Sequence, residues 1–383
     1  MGSPQLSWTN DPAEARFNRE RLARVYDLAA NWCESGEVPA ATLVFGRSDV
    51  ALRPRSFGRR TPGQATPLRG DAIFTVASIT KPVVAMGVML LVERGLLTLG
   101  DKVGDLIPEF AGKGRYSIRL RHLLTHTSGL PDLLPHDREL RRANVPLSQF
   151  LAEICRVEPL FKPGRDVRYS SCAFVLLGEI VAHTTGRSLP EFLREEFFQP
   201  LGMHDTALGA PAEWFDGPQS RSDRFAAVRL PEEQADGDTW NWNSRYWQTL
   251  GAPWGGLLST AADLAAFAQM MLCDGCRQGE PLLAPATIAA ATSNQLIAMR
   301  EVPESDRRCR PWGFGWRLHW PALGGYFGDL LSTNAYGHWG ATGTLLWIDP
   351  DRDAFAVLLT TQPQDPDGRY LARLSNAVAA AIE

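Results

Sequence analysis

Strand-forming patterns lie towards both ends of this sequence and helix-forming patterns fill its middle, an order that few folds can accommodate. Ala40 to Gly46 and Ile73 to Ala77 are short β-branched and aromatic runs with Gly, Arg and Pro between them, as in antiparallel strands joined by loops. Near the end, Thr342 to Ile348 and Ala354 to Thr361 are apolar runs joined by Asp349-Pro350-Asp351-Arg352-Asp353, a turn-rich link. From Ser78 to about Thr292 the pattern is mainly helical, with apolar segments such as Phe174 to Ala182 and Ala261 to Leu272 set between Pro and Gly clusters. A first amphipathic helix is expected within Asp11 to Cys33, where Phe17, Leu22, Val25, Tyr26, Leu28 and Ala29 recur in helical rhythm before Gly36 and Pro39. A last helix is expected from about Tyr370 to Ile382. The pattern predicts an α/β (α+β) architecture: one antiparallel sheet built from both termini and flanked by helices, with a helical lobe inserted. As one domain over 1–383, it would have a sheet lobe of roughly 1–77 plus 310–383 and a helical lobe of roughly 78–309.

A chain of 383 residues with 44% hydrophobic content can bury a large core, which argues against disorder. A formal net charge of −4 and no long basic run leave no electrostatic footprint for nucleic acid, so a small-molecule or peptide substrate is expected. The longest apolar run, Val83 to Val92, is about half of the roughly 20 residues that span a bilayer, so no membrane span is expected. The stretch from Met1 to Ser7 has neither a basic start nor an apolar run, giving a cytoplasmic expectation unless a signal has been removed. The six cysteines are too scattered for a disulfide scaffold. Cys273-Asp-Gly-Cys276 has the spacing of a redox or metal pair, but no second pair follows, and Asp-Gly after an apolar helix reads as a helix-end turn. His122 and His126 stand four apart without the Glu of a zinc-protease helix or an obvious third ligand, so structural roles are expected and no metal.

Ser78-Ile79-Thr80-Lys81 follows a predicted strand and opens a helical run that ends at Gly95. Residues three apart on a helix share a face, so the Ser78 hydroxyl and the Lys81 amine can meet across one turn. Pro82 is tolerated only in a first turn, where its missing N–H has no partner to lose, which sets the expected helix start at Ser78. A serine hydroxyl is a poor nucleophile at neutral pH, and a lysine can activate it if burial depresses the amine's pKa. Such a pair alone recurs by chance in many chains, and a solvated lysine is its ordinary reading. Tyr169-Ser170-Ser171 lies about ninety residues on, and Gly337-His338-Trp339-Gly340-Ala341-Thr342-Gly343 opens the first of the C-terminal strands.

The three elements, in this order, resemble the serine β-lactamase, penicillin-binding and esterase superfamily in its class C-like branch, where S-x-x-K, Y-x-N and K-T-G or H-x-G line one cleft. The resemblance spans nearly the whole chain, and His122 to Leu130 and Gly255 to Asp263 also look like recurrent segments of that branch. It implies Ser78 as nucleophile, Lys81 as its base or proton relay, Tyr169 as the acid/base for the leaving group, and the backbone N–H groups of Ser78 and Ala341 as an oxyanion hole. It further implies Ser171, His338, Trp339 and Gly340 as substrate-binding positions, and no cofactor. Two positions depart from the motifs. Ser171 stands where Asn is usual, and His338 stands where Lys is usual, giving a site expected to be partly cationic near neutral pH. By strand alternation Trp339 points opposite His338, into core, unless a bulge turns it into the cleft.

Trp240 to Trp254 holds four tryptophans and a tyrosine and reads equally as an aromatic-anchored loop or as an apolar wall of a cleft. The resemblance implies a serine hydrolase acting on carboxylic esters through an acyl-enzyme, like family VIII carboxylesterases, which commonly depart from the Asn and K-T-G positions. A D-amino-acid-specific peptidase or weak β-lactamase is the alternative, and a catalytically silent binding protein of the same fold is a third reading. No G-x-S-x-G or Gly-rich phosphate loop occurs.

Overall fold

The computed structural model describes residues 6–235, 237–277, 280–320, 325–363 and 368–383; part of the N-terminal stretch read for a signal, Met1 to Gln5, lies outside them. The main sheet takes strands from both ends of the chain: β1 (Ser7–Thr9), β2 (Ala40–Arg47), β3 (Val50–Leu52) and β4 (Arg55–Gly58) from the first part. Three short pieces follow, β5 (Phe74–Thr75), β6 (Ala207–Leu208) and β7 (Leu257–Ser259), and then a small hairpin of β8 (Cys276–Arg277) and β9 (Glu280–Pro281). The C-terminal part supplies β10 (Arg317–Leu318), β11 (Tyr336–Gly340), β12 (Thr344–Asp349) and β13 (Ala354–Thr360). The sheet order is β1-β3-β2-β13-β12-β11-β10, with β4 also on β2, and the two ends of the chain meet where β13 pairs antiparallel with β2.

Alternation along these strands divides the core in two. Leu43, Phe45, Leu345, Trp347, Ala356 and Leu358 face one layer, built with the Arg19–Glu34 and Arg369–Ala381 helices. Val44, Leu346, Ile348, Val357 and Leu359 face the other, which is continuous with the Thr80–Glu93, Cys172–Thr185 and Ala261–Leu272 helices. Because both faces are covered, the central strands are apolar throughout rather than alternating with polar residues.

Three local expectations change. Ile73 to Ala77 contributes β5, which pairs with β7 in a separate three-stranded sheet with β6 rather than joining the main one, because a partner distant in sequence captures its edge. Asp11 to Asn18 precedes the first helix, which starts at Arg19, where the Asn18 side chain caps it by accepting from the Arg21 N–H. Ser78 sits in a 3₁₀ turn, Ala77–Ile79, and the α-helix proper begins at Thr80. Cys273 closes the Ala261–Leu272 helix in a turn whose next residues, Asp274 and Gly275, are left-handed, and all six cysteines are unpaired.

The turn joining β11 to β12 is held by the Gly343 N–H donating to Gly340 O at 3.0 Å, and Gly343 has φ +92°. A Cβ there would lie 1.8 Å from Gln362 O. Gly343→Ala is therefore expected to cost about 1–3 kcal/mol of stability from backbone strain alone, with more from the clash, read as a lowered denaturant midpoint.

Candidate active site

Two short-range constraints bring the end of β11 to the start of the Thr80–Glu93 helix. Thr342 Oγ1 donates to Thr75 O at 2.6 Å and Thr344 Oγ1 to Val76 O at 2.9 Å. Gly340 packs so closely against this segment that a Cβ would lie 2.2 Å from Val76 O and 3.1 Å from the Ala77 Cβ. Only glycine fits, which explains its place before Ala341. Ala77, one residue before Ser78, has φ +47°, an uncommon conformation for a residue with a Cβ, and the turn it makes leaves the half-buried Ser78 side chain on the floor of a cleft. Ala341 lines the same cleft, and its N–H takes no part in the hydrogen bonding of the β11–β12 turn.

Lys81 is fully buried, with Nζ 3.3 Å from Ser78 Oγ and 2.8 Å from Trp254 O. Its ammonium also lies 4.6 Å from the centroid of the Tyr169 ring. Tyr169 reaches this point from the stretch leading into the Cys172–Thr185 helix and lines the cleft beside Ser78 and Ser171. The loop that carries it is fastened by His126: the Ser170 N–H donates to His126 Nδ1 at 3.1 Å and the Arg168 N–H to His126 O at 2.9 Å. The His126 ring lies 4.6 Å from that of Tyr169, and the residue itself is held at φ +59°. His122, by contrast, caps a short helix, its Nδ1 accepting from the Arg119 N–H at 3.0 Å, so the two histidines serve different local structures.

His338 and Trp339 are consecutive on β11, yet their rings do not part as strand alternation predicts: they stack with centroids 5.2 Å apart. His338 is fully buried, its ring 5.9 Å from that of Tyr169 and its Nδ1 2.7 Å from Trp339 O, and it lies behind the cleft rather than on its lining. Burial and the neighbouring Lys81 charge push its pKa down to about 3, so it is neutral near pH 7 rather than partly cationic as expected from its type. Trp339 packs with the opposite layer, yet its ring also lines the cleft, stacked on Tyr326 at 4.7 Å. Ser171 lines the cleft with its Oγ donating to Asp132 Oδ1 at 2.7 Å, so its one hydroxyl proton is already engaged.

The cleft encloses about 820 Å³, and Trp240, Trp242, Trp247 and Trp254 all line it. Of the two readings of that tryptophan-rich stretch, the wall of a cleft is what the fold makes of it. Trp254 does more, since its carbonyl holds Lys81. Sequence reasoning does not single out His126, Asp132 or the Trp254 carbonyl as parts of the site. The His122 to Leu130 segment is visible as a recurrent pattern, but its contact with Tyr169 is long-range.

Burial lowers the Lys81 pKa to about 7, against smaller opposing effects of Asp132 and Cys172. Burial raises that of Tyr169 well above its ordinary value, the hydrogen bond with Ser78 working the other way. Near neutral pH the amine can therefore be uncharged while the phenol keeps its proton. The depressed lysine also has a thermodynamic consequence. Below about pH 7 it is protonated in both folded and unfolded chains and its burial cost is present in full; between about 7 and 10.5 the unfolded chain binds the extra proton, so stability rises with pH. Relative to Lys81→Met, the wild type is expected to gain up to about 1.4 kcal/mol of unfolding free energy per pH unit across that window, measured by chemical denaturation.

Comparison with known proteins agrees with this fold. The Beta-lactamase family model matches residues 24–380. "Penicillin-binding protein 4" of Amycolatopsis lactamdurans is 30% identical over 333 residues, covering 84% of this chain and 81% of that protein. Among solved structures, a penicillin-binding protein homologue from Caulobacter crescentus superposes with a TM-score of 0.78 at 24% identity, over 95% of this chain and 98% of the other. A family VIII carboxylesterase superposes with a TM-score of 0.74 at 21% identity, again over 95% and 98%. Among the described residues no helix is long and apolar enough to cross a membrane. With its fold, its motifs in order and a family match over almost its whole length, the chain belongs to the beta-lactamase family of serine hydrolases.

Proposed function

We propose that this enzyme cleaves carboxylic esters of small acyl groups through an acyl-enzyme on Ser78. The observation that carries the reading is the buried Lys81 Nζ 3.3 Å from Ser78 Oγ, with its pKa lowered to about 7, on the floor of an aromatic-walled cleft. Neutral Lys81 takes the Ser78 proton as Oγ bonds to the ester carbonyl carbon. The oxyanion forms against the Ser78 and Ala341 N–H groups. As the carbon–oxygen bond to the alcohol breaks, Tyr169 gives its proton to the leaving oxygen and is reprotonated from Lys81. Water then enters in place of the alcohol, and the same relay run in reverse releases the acid. No step calls for a cofactor.

Esters are favoured over β-lactams and peptides by what the substrate-binding positions offer. Ser171 has no side-chain amide and its hydroxyl donates to Asp132, while His338 is neutral and buried, so the usual hydrogen bonds to a substrate amide and a lysine charge for a substrate carboxylate are both missing. Gly340 keeps the strand edge close to Ser78, and Trp339 adds apolar surface beside it. The intact trio of Ser78, Lys81 and Tyr169 argues against a silent binding protein.

A fluorophosphonate is expected to label the wild type and not Ser78→Ala, and 4-nitrophenyl butyrate is expected to be cleaved with far higher kcat/KM than nitrocefin. Comparable nitrocefin turnover, or cleavage of D-amino-acid anilides in preference to esters, would replace the esterase reading. The ester rate is expected to rise with pH through an ionisation near 7. Lys81→Arg is expected to lose at least about a thousandfold in kcat, because a guanidinium keeps its proton. Substantial activity of Lys81→Arg with an unchanged pH profile would remove Lys81 as the base.

A further inference from the structure

The cleft has one charged side chain joined by hydrogen bonds to the Tyr169-Ser170-Ser171 motif, and it is acidic. Asp132 is exposed and lines the cleft together with Ser78, Tyr169 and Ser171. Its Oδ1 accepts from the Ser171 N–H at 3.0 Å and from Ser171 Oγ at 2.7 Å, and its main-chain oxygen accepts from the Ser171 and Cys172 N–H groups, each at 3.0 Å. These contacts fix the carboxylate in place through one oxygen. No basic side chain pairs with Asp132 among the described residues.

The other charged side chains lining the cleft, two acids and two bases, cancel in number, so the lining as a whole is acidic by the one charge of Asp132, although the field of Asp132 also reaches Arg141. Asp137 and Arg141 form their own buried ion pair at 2.9 Å, and the Arg141 guanidinium lies 4.4 Å from the centroid of the Trp247 ring. Arg138 and Glu233 are exposed, line the wall, carry opposite charges and so offset each other. His338 is neutral. The field of Asp132 reaches both Lys81 and Tyr169, whereas neither Arg138 nor Glu233 is among the groups that perturb them.

The geometry points to Asp132 as the specificity residue for the proposed ester cleavage, selecting acyl groups that carry an ammonium over neutral ones and rejecting those that carry a carboxylate. An ammonium on the bound acyl chain would meet Oδ2 of a carboxylate already immobilised by Ser171, so little ordering entropy opposes the contact. A substrate carboxylate would meet like charge there, which disfavours it. This rests on the esterase reading, and it goes beyond it by naming the charge of the substrate.

The test compares ethyl 3-aminopropanoate, ethyl butyrate and ethyl hydrogen succinate, followed by acid release at fixed pH, in the wild type and in Asp132→Asn, which keeps an oxygen able to accept from Ser171. The wild type is expected to rank them cationic, neutral, anionic in kcat/KM. The cationic-to-neutral ratio is expected to fall about two- to fivefold in Asp132→Asn, the scale of one exposed ion pair, and to fall with added salt in the wild type. Labelling rates of Ser78 with a neutral and an ammonium-bearing phosphonofluoridate give the same ratio without requiring ester turnover, so failure of the esterase reading and failure of this one remain distinguishable. A wild-type ratio of one or less, or a ratio unchanged in Asp132→Asn, overturns the assignment and leaves Asp132 as a helix cap. An anionic preference lost in Arg138→Gln also overturns it, and moves charge selection to Arg138.

Discussion

The site depends on one amine being held out of water. Lys81 has no solvent exposure, no carboxylate pairs with it among the described residues, and the hydrogen bonds of its Nζ there go to a serine hydroxyl and a main-chain carbonyl. A charged ammonium placed so would be expensive, and the protein meets that expense by letting the amine lose its proton near neutrality. The burial that costs the fold stability is the same burial that lowers the pKa of the amine, and under the proposed mechanism stability and reactivity are opposed at a single atom. Much of the surrounding structure serves to keep water from Nζ: the Thr80–Glu93 helix is apolar on all sides, Trp254 covers the amine from the tryptophan-rich wall, and the Tyr169 ring covers it from the third side.

The fold supplies that enclosure by joining distant parts of the chain. Ser78 and Lys81 come from the start of the helical region, Tyr169 and Ser171 from the approach to a second helix, Trp254 from the approach to β7, and Ala341 from the β11–β12 hairpin of the main sheet. β7 pairs with β5, so the strand just before Ser78 and the segment carrying Trp254 are tied in register. The hairpin is tied to the same place by Thr342 and Thr344, which donate to the carbonyls of Thr75 and Val76. The small sheet and two threonine hydroxyls thus do for the site what the eight-stranded sheet does for the core.

Much of this is legible in the sequence because it is written locally. The Ser78–Lys81 spacing, the breaker at Gly95, the two apolar C-terminal strands and the helices around Val25 and Val181 each follow from periodicity and punctuation over a few residues. The strand before Ser78 is visible, but its partner is not, because β7 lies far along the chain and nothing in either run specifies the other. The neutrality of His338 is hidden for a related reason: its residue type suggests partial charge, and only the depth of its burial beside Lys81 decides otherwise. Asp132 reads as an ordinary loop residue until the fold sets its carboxylate against Ser171. The Trp240 to Trp254 stretch could be a loop anchor or a cleft wall on composition alone, and the choice needs the position of Ser78.

The protonation state of Lys81 can be observed without a substrate. The chain has only four lysines, Lys81, Lys102, Lys113 and Lys162, and of these only Lys81 is buried, so a protein labelled with ¹³C at lysine Cε gives a spectrum simple enough to follow as pH is varied. One resonance, absent from Lys81→Met, should titrate near pH 7. If no lysine resonance titrated near pH 7 and the Lys81 resonance stayed that of an ammonium through neutrality, Lys81 would be a charged structural residue, and activation of Ser78 by a neutral Lys81 amine would be contradicted.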